Sequence, residues 1–238
     1  MIEFENVSFS YEKDRPVLRD VSFRIETGEA VGLIGANGAG KSTVMKLLLG
    51  LLSGEGRIAV DGVEVRKENL REVRRKLGFV LQNSDNQMFM PTVCEDMMFG
   101  PLNYMVSREQ AEKKVDEVLA QLGLTELKYR HNHRISGGEK RMAAIATILA
   151  MEPEAVLMDE PSSALDPCNR RLVINVIRSL PQTKLITSHD LDMIWDTCSR
   201  VILLSGGRVA ADGPAREILR DRELLEKHRM ELPLRFQS

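Results

Sequence analysis

The stretch from Gly35 to Ser42 constrains the fold of this chain more than any other. Its sequence, Gly-Ala-Asn-Gly-Ala-Gly-Lys-Ser, meets every fixed position of the pattern G-x-x-x-x-G-K-[ST]. A short apolar run, Ala30 to Ile34, comes before it, and an apolar-periodic stretch, Val44 to Leu52, comes after it. These flanks predict a strand, a glycine loop and a helix in succession, which is the context that a phosphate-binding loop requires.

Each residue type in this loop has a chemical reason to be there. Glycines allow successive backbone N–H groups to turn inward around an anion, and the following helix adds the positive end of its dipole. Lys41 can reach the β- and γ-phosphates of a nucleotide, and the Ser42 hydroxyl can bind Mg²⁺. A glycine-rich turn that only caps an ordinary helix is disfavoured, because all four fixed positions occur in the right context. The loop predicts nucleotide binding and leaves the function open, since many families share it.

The composition excludes several classes of protein. The chain has 238 residues, of which 43% are hydrophobic and 29% charged, as in ordinary globular proteins with a buried core. A net charge of −2 gives no general attraction to nucleic acid. No apolar run approaches the roughly 20 residues of a membrane-spanning helix, and the first residues do not resemble a signal peptide. Three widely spaced cysteines predict free thiols in a reducing compartment. We therefore expect any work at a membrane to be done through a partner.

The order of predicted elements indicates an α/β fold. Alternating apolar residues predict strands over about 2–9, with a bulge, and 17–25, separated by a turn at Asp14-Arg15-Pro16. The dipeptide Asp61-Gly62 between two apolar runs predicts a hairpin. Further strands are predicted at 77–81, 155–158, 184–187, 201–204 and 208–211. Helical stretches between them predict a parallel sheet.

The chain divides into three predicted parts. Residues 1–82 and 153–213 are expected to form a RecA-like P-loop core with an N-terminal antiparallel β subdomain. Residues 83–152 have helical spacing and are expected to be an inserted helical subdomain, in which Ser107 starts one helix and Gly123 ends it. Residues 214–238 are charged and predict a helical tail without identifiable chemistry.

Two carboxylates follow a predicted buried strand. Four apolar residues, Ala155 to Met158, are followed by Asp159 and Glu160. Beside a phosphate loop, such a strand places its first carboxylate against Mg²⁺ and the next where it could accept a proton from an attacking water. An exposed acidic turn is the alternative, and the upstream loop makes it the weaker interpretation.

The segment Ser136-Gly137-Gly138-Glu139 narrows the choice of family. It fits a capping box, but two glycines in a first helical turn cost roughly 1 kcal/mol each relative to alanine, and a cap has no use for them. Bare backbone at a helix start suits close approach to a phosphate. One chain with two such helix starts suggests that two chains share each nucleotide.

Ser136-Gly-Gly-Glu-Lys resembles the signature motif of ABC-type ATPases, and the resemblance covers nearly the whole chain. The family's motifs occur in order: Tyr11 where an aromatic stacks on adenine, the Walker A loop at 35–42, the Q-loop glutamine at Gln82, Walker B at 158–160, the D-loop at 163–166 and the switch histidine at His189. Ile135 stands where leucine is usual and Glu139 where many members have glutamine, and neither change removes a catalytic group.

The resemblance implies a head-to-tail dimer that binds ATP and Mg²⁺ between the Walker A loop of one chain and the signature of the other. It implies catalytic roles for Glu160, His189 and Lys41, and Mg²⁺ binding by Ser42, Gln82 and Asp159. Nucleotide contacts are implied for Tyr11, Gly35, Asn37, Gly38, Gly40, Lys41, Ser42, Thr43, Gln82, Ser136, Gly137, Gly138 and Asp166.

The stretch Gln82-Asn83-Ser84-Asp85-Asn86-Gln87 resembles the Q-N-P-D-N-Q sequence of energy-coupling-factor transporter ATPases, particularly those of cobalt and nickel importers. Ser84 replaces the usual proline. This branch implies an import motor at the cytoplasmic face of the membrane. Its partners would be a second ABC ATPase subunit, identical or homologous, a transmembrane scaffold subunit and a substrate-binding membrane subunit, and no nucleic acid.

Other functions fit the sequence less well. The nearest alternative is the ATPase of another ABC transporter, for a vitamin or another solute. A DNA-repair or chromosome ATPase would need a long coiled-coil insertion, whereas Gln82 and Ser136 are only 54 positions apart. A P-loop kinase or GTPase leaves the signature unexplained, and a non-hydrolysing regulatory subunit would lack some catalytic residues.

Two smaller features complete the predictions. Five methionines lie between residues 88 and 105, and we hypothesise that they line a groove for helices of the scaffold subunit, with filling of the helical core as the alternative. His131 and His133 suggest a metal site only weakly, because no third ligand lies nearby in the sequence. A loop leading into the signature is the preferred interpretation.

Overall fold

The structure is a computed structural model that describes residues 1–13 and 15–237. In chain order, the strands of these residues are β1 (Ile2–Glu12), β2 (Arg15–Ile25), β3 (Ala30–Ile34), β4 (Glu55–Val60), β5 (Val63–Glu64), β6 (Leu77–Val80), β7 (Ala155–Asp159), β8 (Thr183–Thr187), β9 (Arg200–Ser205) and β10 (Arg208–Pro214). The α-helices are α1 (Lys41–Leu48), α2 (Leu70–Lys76), α3 (Val93–Asn103), α4 (Arg108–Leu122), α5 (Gly137–Leu149), α6 (Pro167–Ser179), α7 (Leu191–Thr197), α8 (Ala215–Ile218) and α9 (Arg222–Lys227). Single 3₁₀ turns occupy Lys67–Asn69, Ser84–Asn86, Thr125–Leu127, Asn132–Arg134 and Leu234–Phe236.

A six-stranded sheet forms the centre of the molecule, with strand order β10-β9-β3-β8-β7-β6. All neighbouring strands are parallel except β10, which pairs antiparallel with β9 at one edge. The central strands β3 and β8 are almost wholly buried, which explains their continuous apolar character. Because the strands are parallel, the segments that follow β3, β6, β7 and β8 emerge at one edge of the sheet. The predicted α/β fold with a parallel core is confirmed.

A second, antiparallel sheet has the order β2-β1-β4-β5. The predicted bulge in β1 is present, since the β1–β2 register shifts between Phe4 and Val7 and Asn6 has a φ of 50°. The predicted hairpin at 61–62 joins β4 to β5. Arg15 and Pro16 belong to β2 rather than to a turn, and Asp14 lies outside the described residues. The sheet brings Tyr11, near the end of β1, towards the phosphate loop.

Helices α3, α4 and α5, which lie between β6 and β7 in the chain, pack against one another. The predicted start and end of α4 are confirmed: the Ser107 hydroxyl accepts a hydrogen bond from the Gln110 N–H at 3.2 Å, and Gly123 ends the helix in the left-handed conformation at φ 68°. No helix among the described residues is both long enough and apolar enough to cross a membrane.

The methionine hypothesis is wrong for three of the five side chains. Met88, Met97 and Met98 are buried in the helical core, where flexible thioethers fill space between α3, α4 and α5. Met105, by contrast, is 83% exposed. The apolar residues that this part of the chain exposes are mainly aromatic and aliphatic: Phe89, Phe99, Leu102 and Met105.

The C-terminal segment is helical only in part and folds back onto α7. The Phe236 ring packs edge to face against Trp195, with the centroids 4.8 Å apart. Arg235 forms ion pairs with Asp192 at 2.5 Å and Asp196 at 2.9 Å. Helix α7 follows His189, so the tail supports the element that leads away from that residue.

Candidate functional site

The loop between β3 and α1 is shaped by glycines that no other residue can replace without strain. Gly40 has a φ of 104°, and a Cβ at this position would lie 2.6 Å from Leu18 Cδ2. Gly35 has a φ of 150°, and a Cβ there would lie 2.3 Å from the Leu204 carbonyl oxygen. No side chain caps α1, so the N–H groups of its first turn remain available to a ligand. The result is a backbone cradle with the chemistry of an anion site.

Lys41 lies inside this cradle. Its side chain is buried, and its Nζ donates to the carbonyl oxygens of Gly35 at 2.6 Å and Ala36 at 3.3 Å. Burial lowers the pKa of Lys41, and the charges of Glu160 and Asp159 oppose this shift. The hydrogen-bond acceptors of the ammonium group are neutral carbonyl oxygens, which an anionic ligand can replace as its direct partner.

Asp159 is the last residue of β7 and lies opposite Thr187 of β8 in the parallel register. The Thr187 hydroxyl donates to Asp159 Oδ1 at 2.5 Å, which fixes the orientation of the carboxylate. The chain then turns sharply, because Glu160 has a φ of 49° and its N–H bonds the Thr187 carbonyl oxygen at 3.0 Å. Both neighbouring acidic residues at this strand end line the same pocket.

Glu160 has one oxygen that is held and one that is free. Oε2 accepts hydrogen bonds from the Ser188 hydroxyl and the His189 N–H, both at 3.1 Å. Oε1 is buried without a hydrogen-bond partner among the described residues, and lies 3.6 Å from His189 Nε2. An orphaned buried carboxylate oxygen is costly, so this geometry suits an oxygen that accepts from a bound water or ligand.

These elements enclose a pocket of about 450 Å³. Its lining is Tyr11, Val17, Asn37, Gly38, Ala39, Gly40, Lys41, Ser42, Thr43, Gln82, Asp159, Glu160 and His189. All of these except Val17 and Ala39 are candidate residues from the sequence. Tyr11 is 58% exposed and its ring packs edge to face on Phe9, so one face of the aromatic system is open at the pocket mouth.

Four predicted nucleotide contacts, Ser136, Gly137, Gly138 and Asp166, are absent from the lining of this pocket, and Gly35 lines an adjoining cleft instead. Ser136 and Glu139 form the predicted capping box in both directions, with bonds of 3.2 and 2.7 Å. The hydrogen bonds from Ser136 lower the pKa of the Glu139 carboxyl.

The two signature glycines have different surroundings. A Cβ on Gly137 would meet nothing within 4 Å, as expected for bare backbone that awaits a ligand. A Cβ on Gly138 would lie 2.2 Å from the Asn169 side chain of α6. Gly138 therefore has a packing reason within its own chain, which the argument from helix cost alone did not reveal. Asp166 caps α6, accepting from the N–H groups of Cys168 and Asn169 at 2.9 and 3.0 Å.

Sequence reasoning missed an ion pair beside His189. Arg170 of α6 donates to both carboxylate oxygens of Asp190, at 2.5 and 2.8 Å. Asp190 also caps α7 through the Met193 N–H at 2.9 Å. Burial alone would raise the pKa of Asp190, but the bonds from Arg170 and Met193 more than reverse this and lower it. The signal in the sequence was an aspartate directly before a predicted helix, a common N-cap.

A glycine cradle, a buried lysine and two carboxylates at the edge of a parallel sheet define a P-loop nucleotide site. The chain belongs to the ABC transporter family, whose model matches residues 18–163. It is the ATP-binding subunit of an ABC transporter and an ATPase of that family. The predicted ABC-ATPase type of the fold is thereby confirmed.

Individual relatives refine this assignment. The energy-coupling factor transporter ATP-binding protein EcfA of Methanothermobacter thermautotrophicus is 41% identical over 239 residues, covering 98% of this chain and 77% of the relative. Among solved structures, cbiO1 from Clostridium perfringens, part of the ABC transporter complex cbiONQ, matches with a TM-score of 0.85 and 30% identity over 95% and 93% of the two chains. A dimeric ATP-binding cassette in a post-hydrolysis state, bound to ADP and phosphate, matches with a TM-score of 0.79 and 27% identity over 91% and 99%.

Proposed function

We propose that this subunit is the motor of an energy-coupling-factor type importer, bound at the cytoplasmic face of the membrane, and that the cargo is cobalt or nickel. The observation that carries the proposal is the stretch from Gln82 to Gln87, whose sequence resembles that of cobalt and nickel importers. The similarity to EcfA and to cbiO1 supports the same branch. An importer of a vitamin or another solute is the alternative within the same family.

At the pocket, we assign the phosphates of ATP to the N–H groups at the start of α1 and to Lys41. Within residues 1–13 and 15–237, the hydrogen-bond partners of the Lys41 ammonium are carbonyl oxygens at 2.6 and 3.3 Å, so it can turn towards a γ-phosphate without breaking an ion pair. Tyr11 would stack on the adenine with its exposed ring face. Asn37, Gly38, Gly40, Ser42 and Thr43 complete the cradle.

Glu160 is assigned the role of orienting the attacking water. Its free Oε1 accepts a hydrogen bond from that water, while Ser188 and the His189 N–H hold Oε2 in place. His189 Nε2 lies 3.6 Å from the same Oε1, so one imidazole can contact both the water and the γ-phosphate.

The donor set at the pocket fits Mg²⁺. Ser42, Gln82 and Asp159 offer hydroxyl, amide and carboxylate oxygens, which are the hard ligands this ion prefers, and all three line the pocket. Thr187 fixes the Asp159 carboxylate, so the ligand needs no reorganisation. When bound, the ion would neutralise charge on the phosphates.

Ser136 and Gly137 are assigned to the nucleotide of a second chain. Both are exposed at the start of α5 and outside the pocket of their own chain. Gly138 would contribute its backbone, and Asp166 would shape the neighbouring turn through its cap on α6. ABC cassettes dimerise and work with membrane subunits, and the identity of the second chain and of the membrane subunits belongs to the proposal.

We further propose that residues 83–152 move as one helical subdomain relative to 1–82 and 153–213, with 214–238 as a separate tail. The subdomain exposes the apolar set Phe89, Phe99, Leu102 and Met105. Phe89 and Phe99 are in contact, with their centroids 4.9 Å apart, and we propose that this pair, with Leu102 and Met105 nearby in the chain, receives a helix of the scaffold subunit.

The proposal is tested by co-purification from membranes followed by uptake assays. We expect a scaffold subunit and a substrate-binding membrane subunit to be retained, and uptake of Co²⁺ or Ni²⁺ to be lost with Glu160→Gln. If Glu160→Gln leaves metal uptake intact but abolishes uptake of a vitamin, the cargo is the vitamin rather than cobalt or nickel. Export, or no associated membrane subunit, would contradict the proposed function.

A further inference from the structure

Arg141 of α5 is a buried arginine without an anionic partner. Its side chain is only 4% exposed, and no carboxylate oxygen among the described residues lies within ion-pair distance of its guanidinium. Burial lowers the pKa of the Arg141 guanidinium. Arginines are seldom fully buried unless paired, so this position needs an explanation that packing alone does not supply.

The guanidinium is used to hold backbone carbonyl groups. One Nη donates to the Leu81 carbonyl oxygen at 2.6 Å, and the other donates to the carbonyl oxygen of Gln82. Gln82 is one of the residues that line the nucleotide pocket. Arg141 stands five positions after Ser136 on the helix whose first turn carries the signature. One side chain therefore joins the residue beside the nucleotide to the helix that faces a second chain.

Neighbouring contacts reinforce the same link. Lys140 Nζ forms an ion pair with Asp85 at 2.5 Å. Gln87 Nε2 donates to the Ala144 carbonyl oxygen at 2.7 Å, while its Oε1 accepts from the Leu81 N–H at 3.0 Å. Lys140, Arg141 and Ala144 lie on one face of α5, as helical spacing requires. Three residues of the helix, Lys140, Arg141 and Ala144, therefore bond to the segment 81–87.

We propose that Arg141 is a positioning residue that makes the signature helix follow Gln82. A ligand that draws Gln82 towards the phosphates moves the backbone at 81–82, and the guanidinium transmits that shift to α5 and so to Ser136 and Gly137. This inference rests on the proposed function, because it assumes that Gln82 contacts the nucleotide complex and that the signature closes a second chain's site.

A purely structural role predicts a different outcome. If Arg141 only filled the core, removing its charge would alter the unfolding temperature, and folded protein would hydrolyse ATP normally. If it positions α5, nucleotide binding to the pocket of a single chain should persist while pairing and turnover fail. The kcat value and the KM value for ATP should then change unequally.

The test compares Arg141→Met and Arg141→Lys with the wild type, using the full chain. Arg108→Met is the matched control, since Arg108 is an exposed arginine on α4 in the same part of the molecule. Steady-state hydrolysis gives kcat and KM, binding of a fluorescent ATP analogue gives the dissociation constant, and size-exclusion chromatography with ATP, in a Glu160→Gln background, reports pairing.

For Arg141→Met we expect kcat to fall about tenfold, as for loss of a charge-assisted hydrogen bond, with the dissociation constant of the analogue changed by less than about twofold. ATP-driven pairing should need correspondingly more ATP. Arg141→Lys can still reach one carbonyl oxygen and should recover part of kcat, while Arg108→Met should match the wild type. A folded Arg141→Met chain with normal kcat and normal pairing would overturn the inference.

The exposed ion pair supplies a second test if Arg141→Met does not fold. Asp85→Lys should lower kcat about two- to threefold, as expected for a surface pair, and the charge-swapped double variant Asp85→Lys/Lys140→Asp should restore it. Absence of both effects would contradict the link. Failure of Glu160→Gln chains with wild-type Arg141 to pair with ATP would instead contradict the shared site, and with it the proposed function on which the inference rests.

Discussion

The edge of the parallel sheet and the start of α5 both present free backbone N–H groups at a helix N-terminus, but they are built in different ways. The sheet edge is enclosed: strand register sets Asp159 against Thr187, and Lys41, Glu160 and His189 converge on one pocket. The start of α5 is exposed, and Ser136 and Gly137 do not line that pocket. One region carries a nearly complete site and the other carries only one wall of a site. This difference supports the proposal that the second region acts on the nucleotide of another chain.

The largest effect is expected from a substitution that abolishes ATP hydrolysis in the enclosed region but leaves nucleotide binding intact. Glu160→Gln should lower kcat by about 10³-fold, because an amide cannot take a proton from the attacking water. Binding of an ATP analogue should persist, since the phosphate contacts come from α1 and Lys41. Phosphate release measures the first effect, and equilibrium binding the second.

Glu154→Gln is the matched control for this substitution. Glu154 is an exposed glutamate that pairs with Lys76 at 3.2 Å, and we expect near-normal turnover. Wild-type turnover by Glu160→Gln would contradict the claim that the enclosed region carries the catalytic carboxylate.

The next effect separates the two signature glycines. Gly138→Ala places a Cβ against Asn169 and should lower the free energy of unfolding by about 1–3 kcal/mol. Gly137→Ala meets no atom within 4 Å and should raise stability by up to about 1 kcal/mol, while hindering the second chain's nucleotide and lowering kcat. Thermal unfolding and hydrolysis rates distinguish them. Equal losses of stability in both variants would show that the start of α5 is not an open surface.

An effect of similar size on stability is expected at the ion pair beside His189. Asp190→Asn keeps the cap on α7 but removes the charge opposite Arg170, which should cost about 1–3 kcal/mol of stability at neutral pH. The lowered pKa of Asp190 means that the folded state favours its ionised form. This stabilisation is therefore present above the ordinary aspartate pKa, about 3.9, and is lost as the pH falls through the lower folded value.

Denaturant unfolding of the wild type and of Asp190→Asn at several pH values tests this pH dependence. The difference between their free energies of unfolding should become smaller as the solution becomes acidic. Asp221→Asn is the control, because Asp221 is an exposed N-cap of α9 that accepts from the Leu224 N–H at 2.9 Å. A difference that widens in acid would contradict the assignment of the charge to Asp190.

The smallest effect on the isolated chain is expected at Met105, in the exposed apolar set. Met105→Glu should change the free energy of unfolding by less than about 0.5 kcal/mol, since the side chain is 83% exposed, and should leave hydrolysis by the isolated chain unchanged. It should weaken co-purification with the scaffold subunit and reduce coupled transport. Normal transport by this variant would contradict the proposal that Met105 contacts the scaffold subunit.

The sequence predicted the enclosed region more completely than the exposed one, for a physical reason. Contiguous motifs such as 35–42 and 158–160 lie at strand ends, and parallel strands oblige those ends to meet, so Lys41 and Glu160 could be placed together without coordinates. Helical spacing and the capping residues likewise predicted α4, and the Asp-Gly dipeptide predicted the hairpin at 61–62.

Contacts between distant segments could not be predicted in this way. Gly138 is required because a Cβ there would meet Asn169, and Arg170 pairs with Asp190. The carbonyl groups bound by Arg141 lie 59 and 60 positions away in the chain. The methionines were misjudged because composition does not tell which face of α3 is buried. Such pairings depend on how helices cross, which no local pattern specifies.

The central claim is that each ATP is held by the phosphate loop of one chain and the signature of another. The most direct measurement mixes two inactive variants, Lys41→Ala and Ser136→Glu, and follows ATP hydrolysis. Random pairing makes half of the dimers mixed, each with one fully intact shared site, so we expect about a quarter of wild-type activity to return. A mixture no more active than either variant alone would mean that both residues must lie on the same chain, and this would contradict a site shared between two chains.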